Sequence, residues 1–439
     1  MRRHLPLAGI VLLAASLRLP TLGSRSLWLD EGAEWQEVNQ SFGHMLSNVI
    51  HHEATPPLSF VYEWIVTRVT GMDEFGLRLP FALLGIALVP LVYLAARELA
   101  GQGAGLLSAA LAAANPLLVW HAQDARAYSL LQVLLTGTIV ALARGRMWWW
   151  AALAAAALAT HHFAAFVVLP EAVWLLRRRG RAAWAPVALP ALVLVPLGIL
   201  AASQADSRAS WISDISLVTR LVQIPAGFLD GYQLSRGVGV AIGLVVAVPL
   251  GLALVAALRL RAGRAMIALA IVGIALPLVA ALTGKDYVIA RYVSGSLLAV
   301  LIAMGIGLDR MRWGVPAAAA VCVVWIAINL ATANEPKYRR EDWRAAARAT
   351  AGAEAVMLVP RVGQPVVSYY RGDSSAVSAA SVRSLAVLAM GQTSGFGCRI
   401  PDGPALGSGT TRSGNCWRVT RYRWPSARLV SAGSHTLIR

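Results

Sequence analysis

Five short stretches carry side chains able to do chemistry, and long apolar runs separate them. The first is Asp30-Glu31, within Leu27-Trp28-Leu29-Asp30-Glu31-Gly32. Adjacent carboxylates beside apolar residues offer a general base and a ligand for an acceptor or a metal. An exposed helix start, where the dipole favours acids, would carry the same pair. The second stretch is His51-His52-Glu53 with Pro56-Pro57 just beyond. His52 and Glu53 present nitrogen and oxygen ligands for a divalent cation, and the two prolines fix an extended lead-in to the next helix. A plain polar loop has the same composition. The third runs from Trp120 to Tyr128 and holds His121, Asp124 and Arg126. Asp, Arg and Tyr are costly near a membrane unless paired or functional, and a local Asp124–Arg126 charge pair is the simpler account. The fourth is the turn His161-His162, where one histidine suits a phosphate or other ligand and the other a buried, satisfied position. The fifth is Lys285-Asp286-Tyr287 with Arg291-Tyr292, ahead of a long apolar run. A guanidinium there fits a phosphate by charge and bidentate geometry; an interfacial Arg-Tyr anchor has the same residues.

The elements that must position these groups are membrane helices. The 439 residues are 57% hydrophobic and 14% charged, against about 25% charged for soluble domains. Backbone in lipid must satisfy its own hydrogen bonds, so apolar runs long enough to cross about 30 Å of hydrocarbon imply helices. We expect spans at 5–22, 76–99, 104–120, 126–143, 147–160, 163–176, 184–202, 237–258, 265–283, 289–308 and 313–333, about 11 in all. With Arg2-Arg3 in the cytoplasm, alternate crossings put Arg97, Arg144/Arg146, Arg177–Arg181, Arg259–Arg264 and Arg310/Arg312 there too, as the positive-inside rule requires. This holds only if 58–69, short and interrupted by Glu63 and Arg68, is interfacial or re-entrant. All five chemical stretches then share the extracytoplasmic face, and 212–228 is an amphipathic stretch lying on the bilayer.

The net charge of +17 resides in those short clusters, so anionic membrane lipid is the expected partner and nucleic acid is not. Met1-Arg2-Arg3 with the apolar 5–17 reads as a retained first helix, since no convincing small-residue cleavage site follows. Residues 1–333 form the expected transmembrane domain, whose first external loop, 24–75, carries site residues. The polar tail, 334–439, is expected as a small α/β extracytoplasmic domain, with a helix at 341–348 and strands at 355–359 and 365–370. Cys322 reads as a small buried side chain, while Cys398 and Cys416 can pair in an external tail. No internal repeat of the transporter kind is visible.

The order of these pieces is distinctive. Asp-Glu opens the long first loop; His-x-Glu-x-x-Pro-Pro-Leu, Arg78-Leu79-Pro80, Asn115-Pro116, Gln123-Asp124-Ala125-Arg126-Ala127-Tyr128 and Thr160-His161-His162-Phe163 follow. That order resembles the C-type (GT-C) membrane glycosyltransferase superfamily, in the branch of protein O-mannosyltransferases and aminoarabinose lipid A transferases, over roughly residues 1–310. The resemblance implies an all-α polytopic enzyme that moves a sugar from a polyprenyl phosphate to an acceptor hydroxyl on the extracytoplasmic face. It implies Asp30 as the base and Asp124 as the second acidic position. Glu31, Arg126, Tyr128, His161 and His162 would surround the substrates, and Arg291-Tyr292 would contact the lipid phosphate. His52 and Glu53 correspond to the family's His/acid-Pro-Pro element and are candidate ligands of a divalent metal. Many relatives keep a Lys there, where this chain has Ala54-Thr55. The acceptor would be a cell-envelope protein, glycolipid or polysaccharide, and candidate donors carry mannose or a pentose. A transporter or flippase of a lipid-linked glycan is the alternative. It predicts ionisable groups at mid-span rather than at external span ends. A non-catalytic sensor would have no need of these groups on one side.

Overall fold

The computed structural model describes residues 5–53, 55–204, 212, 215–231, 240–282, 288–335, 341–372, 376–377, 379–394, 397–404, 406, 408–414, 416–430 and 436–438. Arg2-Arg3, Ala54 and Lys285-Asp286-Tyr287 lie outside these residues.

Each of the eleven expected apolar runs is helical. They are α1 (Leu5–Arg18), α5 (Glu74–Ala100), α6 (Gln102–Ala114) with α7 (Pro116–Ala122), α8 (Tyr128–Ala143), α9 (Met147–Thr160), α10 (Ala165–Arg179), α11 (Trp184–Gln204), α13 (Val240–Ala257), α14 (Arg261–Ala281), α15 (Ser294–Leu308) and α16 (Gly314–Asn334). By length and composition, four stretches among the described residues suffice to cross a bilayer: Glu74–Ala100, His162–Ile199, Arg261–Ala281 and Gly314–Asn334. The bent pair α6/α7 makes a fifth, and five shorter apolar helices accompany them. Among the described residues the long spans are therefore fewer than the eleven expected runs, because helices such as α1, α8, α9 and α15 have only 14 to 16 residues. The 38-residue stretch His162–Ile199 is itself broken between α10 and α11, where Gly180 has φ 56°. The chain is a multi-pass membrane protein.

Between these lie α2 (Leu29–Val38), α3 (Phe42–His52), α4 (Leu58–Thr70) and α12 (Leu217–Asp230). The disputed stretch 58–69 is α4. It has 13 residues, is not among the long apolar helices, and buries Ser59, Phe60, Glu63 and Thr67. The stretch expected to be amphipathic is α12, which buries Ile224 and Phe228.

The 62° break between α6 and α7 sets the height of the third chemical stretch. Pro116 has no N–H and its ring clashes with a continuing helix. Asn115 Oδ1 caps the new helix by accepting from Leu118 N at 3.1 Å, and its Nδ2 donates to Phe228 O at 2.9 Å. The carbonyls freed at the end of α6 are met by Arg18, whose Nη1 reaches Ala113 O at 2.8 Å and Nη2 reaches Ala112 O at 3.1 Å. Just past α7, Gln123 Nε2 donates to Leu17 O at 3.0 Å and Thr21 Oγ1 at 2.8 Å. The end of α1 thus ties down the turn that carries Asp124.

The tail forms α17 (Trp343–Ala349), α18 (Gln364–Arg371), a two-stranded pair β4 (Gln392–Ser394) and β5 (Gly397–Arg399), and a six-stranded sheet, β2 (Ala376–Val377), β8 (Thr436–Ile438), β1 (Ala355–Val359), β3 (Ala379–Met390), β7 (Trp417–Val430) and β6 (Thr410–Gly414) in that order. Its central members are β1 (Ala355–Val359), paired parallel with β3 (Ala379–Met390), and β7 (Trp417–Val430), antiparallel to β3. The helix and the strand at 355–359 match expectation. The expected strand at 365–370 is instead the helix α18. Pro365 sits in its first turn, where a missing N–H costs nothing, and Gly372 ends it in the left-handed region at φ 85°. Cys416 is disulfide-bonded and Cys322 is free; the side chain of Cys398 lies outside the described set. One hydrophobic core joins the first loop to the tail, with Leu27, Phe60, Leu77 and Phe81 packed against Trp343, Val356, Val366 and Leu388.

Candidate active site

Helix α2 carries three acids in its first turns, Asp30, Glu31 and Glu34, and each meets a different arginine. Trp28 caps the helix, with its backbone N–H donating to Glu31 Oε2 at 3.3 Å. Glu31 pairs with Arg78 of α5, Glu34 with Arg126, and Asp30 with Arg291.

The Glu31–Arg78 pair is buried and complete. Arg78 Nε donates to Glu31 Oε1 at 2.7 Å and Nη2 to Oε2 at 2.5 Å. Its remaining protons reach the carbonyls of Leu22 (2.7 Å), Arg25 (2.9 Å) and Ser26 (2.9 Å). All five guanidinium N–H groups are spent. Glu31 Oε1 also accepts Ala125 N at 3.0 Å, so this side chain pins the first loop to the turn holding Asp124 and Arg126. Asp124 Oδ1 in turn accepts from Trp28 Nε1 at 2.7 Å.

Asp30 differs from its neighbours in access. Its side chain is 33% exposed, against 1% for Glu31 and 2% for Glu34. Arg291 Nη1 stands 3.4 Å from Asp30 Oδ2 and its guanidinium lies 5.2 Å from the Tyr292 ring. Arg126 points to Glu34, not into a local pair with Asp124, and its Nη1 also reaches Asp30 O at 3.5 Å.

An aromatic wall completes the Asp30 side. His121 stacks on Tyr128 at 4.6 Å and Tyr128 on His161 at 5.9 Å, and Phe163 meets Tyr292 at a tilt, 4.1 Å between ring centres. Burial, with the nearby His162, Arg126 and Arg291, pushes the His161 imidazole down to about 3. It is therefore neutral at ordinary pH. Its Nδ1 accepts from Phe163 N at 3.3 Å, which leaves Nε2 as the protonated donor. His162 is half-buried. A cavity of about 200 Å³ opens between 24–26, Trp28, Trp120, Gln123-Asp124 and the start of α17. Its lining sets Arg25, Arg78, Arg344 and Arg348 against Glu31, Asp124, Glu341 and Asp342.

Asp30, Asp124, Glu31, Arg126, Tyr128, His161, Arg291 and Tyr292 thus come from four distant segments to one neighbourhood. His52 and Glu53 lie at the C-terminal end of α3. His52 is exposed at the end of α3, and Glu53, half-buried, faces Glu34. Among the described residues no three His, Cys, Asp or Glu side chains gather as a metal site. His52 and Glu53 supply one imidazole and one carboxylate, a set that would hold a cation only together with water or a substrate phosphate. Glu34, Glu63 and Trp28 escaped the sequence reading. The available signal was Glu34 one turn after Asp30 on the same helix face, and an acid within the otherwise apolar α4.

Residues 54–203 match the family model described as dolichyl-phosphate-mannose-protein mannosyltransferase. The architecture matches the apo structure of ArnT from Cupriavidus metallidurans with a TM-score of 0.53 at 13% identity, covering 83% of both chains. The undecaprenyl-phosphate-bound structure of the same protein gives 0.52 at 15% identity, over 83% of this chain and 84% of that one. The chain has the GT-C fold. The resemblance read from the order of the motifs therefore holds for the fold. No curated protein matches the sequence.

Proposed function

We propose that this GT-C protein is a membrane glycosyltransferase that transfers a sugar from a polyprenyl-phosphate donor to a hydroxyl of a cell-envelope acceptor. Asp30 carries the reading: of the three α2 acids that meet arginines it is the solvent-open one, and it touches Arg291. In a single displacement Asp30 takes the proton of the acceptor hydroxyl as its oxygen attacks the anomeric carbon. The bond from that carbon to the phosphate oxygen breaks, and its electron pair leaves with the polyprenyl phosphate. Arg291 meets the charge that develops on the phosphate, worth most in a site that excludes water. One displacement inverts the anomeric centre and needs no second nucleophile.

Neutral His161 donates from Nε2 to the phosphate or sugar, and Tyr128 and Tyr292 line the donor with aromatic faces. His162 borders the same donor space. Asp124, held by Trp28, faces the acceptor cavity and orients the acceptor, while Glu31 and Arg126 hold the frame. Residues 54–203 match a family described by a dolichyl-phosphate-mannose substrate, which supports a hexose, mannose, as donor sugar. The N-terminus is assigned to the cytoplasm and the tail to the extracytoplasmic side by the basic loops. A divalent cation at His52 and Glu53 would add a charge next to Glu34; no step here requires one.

Purified protein in detergent is given polyprenyl-phosphate mannose with a labelled sugar and a cell-envelope fraction. The reading expects label in the acceptor and stoichiometric polyprenyl phosphate. Translocation of intact donor between vesicle leaflets, without sugar release, would replace it with a flippase.

A further inference from the structure

The three α2 acids that meet arginines, Asp30, Glu31 and Glu34, leave another buried carboxyl unmatched. Glu63, in the middle of α4, is fully buried, yet no cation is bonded to it among the described residues. Both of its carboxyl oxygens lack a donor, as does Oε1 of Glu34. The other oxygen of Glu34 is held by Arg126 at 2.5 Å. Ionised carboxylates are acceptors only, so two of them facing each other in a dry interior have nothing to bond with. Two buried negative charges sharing one guanidinium would also bear a desolvation cost of several kcal/mol per ion. A single proton resolves both defects: an O–H on Glu63 donates to the open oxygen of Glu34, and the pair then carries one negative charge for one arginine.

We propose that Glu34 and Glu63 share one proton and together act as the positioning element that holds Arg126 at the Asp30 end of α2. The electrostatics agree. Burial first, then each carboxyl's repulsion of the other, raises Glu63 well above the ordinary range; Glu34 is raised to about 7, mainly by burial and against the pull of Arg126. The groups facing Glu34 are Arg126, Glu53, Glu63 and Asp30; those facing Glu63 are Glu34, Arg126, Glu31 and Tyr62. Arg126 is the single cation among them, and its Nη1 reaches both Glu34 and the Asp30 carbonyl. With one charge on the pair, Arg126 stays shared between α2 and the substrate side. With two, it is drawn into the acids. Glu63 touches no substrate and acts through Glu34 and Arg126, on the assumption that the site takes a polyprenyl phosphate as proposed above.

The test uses the full-length protein in detergent, with two readouts. Infrared difference spectra at neutral pH compare wild type with Glu63→Gln and with Glu63→Met, either of which suffices if the other fails to fold. Loss of one protonated-carboxyl carbonyl band is expected; absence of any such loss overturns the shared proton. Binding of undecaprenyl phosphate is then followed by tryptophan fluorescence. Glu63→Gln, which can still donate to Glu34, should bind within about twofold of wild type, whereas Glu63→Met and Glu34→Gln should bind at least tenfold more weakly. Wild-type affinity in Glu34→Gln, or equal losses in Glu63→Gln and Glu63→Met, overturns the positioning role. Failure of wild type to bind undecaprenyl phosphate at all overturns that role together with the donor assignment, while the infrared result stands by itself.

Discussion

Replacing Arg78 with methionine removes the centre of the first loop while keeping much of its volume. Arg78 makes five hydrogen bonds, two to Glu31 and three to the carbonyls of residues 22, 25 and 26. Its loss leaves the Glu31 carboxylate 99% buried with only the amides of Trp28 and Ala125 as donors. Removing one partner of a buried ion pair costs about 3–5 kcal/mol. That is a fifth or more of a typical native stability of about 5–15 kcal/mol. Denaturant unfolding in detergent, read by tryptophan fluorescence, measures the loss. The double variant Glu31→Gln/Arg78→Met leaves no buried charge behind and should recover part of it. A loss under about 1 kcal/mol in Arg78→Met, the range of exposed pairs, would refute the reasoning that this pair organises the loop.

Three further outcomes follow from the same geometry. Gly32→Ala would set a Cβ 2.6 Å from Val366 Cβ and 2.7 Å from its Cα; backbone cannot yield as a side chain does, so about 1–3 kcal/mol and faster amide exchange in α18 are expected. Trp28→Phe removes the bond to Asp124 and should cost about 1–3 kcal/mol of local stability by leaving a carboxylate oxygen without its donor, seen as a raised acceptor KM with donor KM unchanged. Stability should also depend on pH through Glu34. Its folded value of about 7 lies above the ordinary 4.5, so the folded state binds the proton more tightly. The stabilisation is complete below about 4.5 and is lost as pH rises through about 7. Unfolding midpoints measured from pH 4 to 9 (about that range suffices) should fall across this window, and the fall should flatten in Glu34→Gln, which removes the titrating carboxyl.

What could be read in the sequence follows from where each interaction sits along the chain. Apolar runs declare helices locally, so α5, α14 and α16 were plain. Asp30, Asp124 and Arg291 were legible because charged residues at span ends are few. Their partners were not, since Glu31–Arg78, Glu34–Arg126 and Asp30–Arg291 join residues 47, 92 and 261 apart. No local pattern encodes such a pairing. Glu63 looked like a flaw in an apolar helix because its meaning depends on Glu34 of another helix. The tail stretch around Tyr369 and Tyr370 looked like a strand by its β-branched and aromatic content. Packing on α2, with Tyr369 against Trp35 at 5.2 Å and the Tyr370 hydroxyl accepting Leu27 N at 2.7 Å, goes with a helix instead.

The central claim is that Asp30 takes the acceptor proton. The most direct measurement is the single-turnover rate of label transfer from polyprenyl-phosphate mannose in wild type and in Asp30→Asn, with donor affinity measured alongside. Loss of a general base predicts a rate lower by about 10²–10⁴-fold with donor binding changed only a few-fold. A rate within about threefold of wild type, with the donor bound, would contradict it.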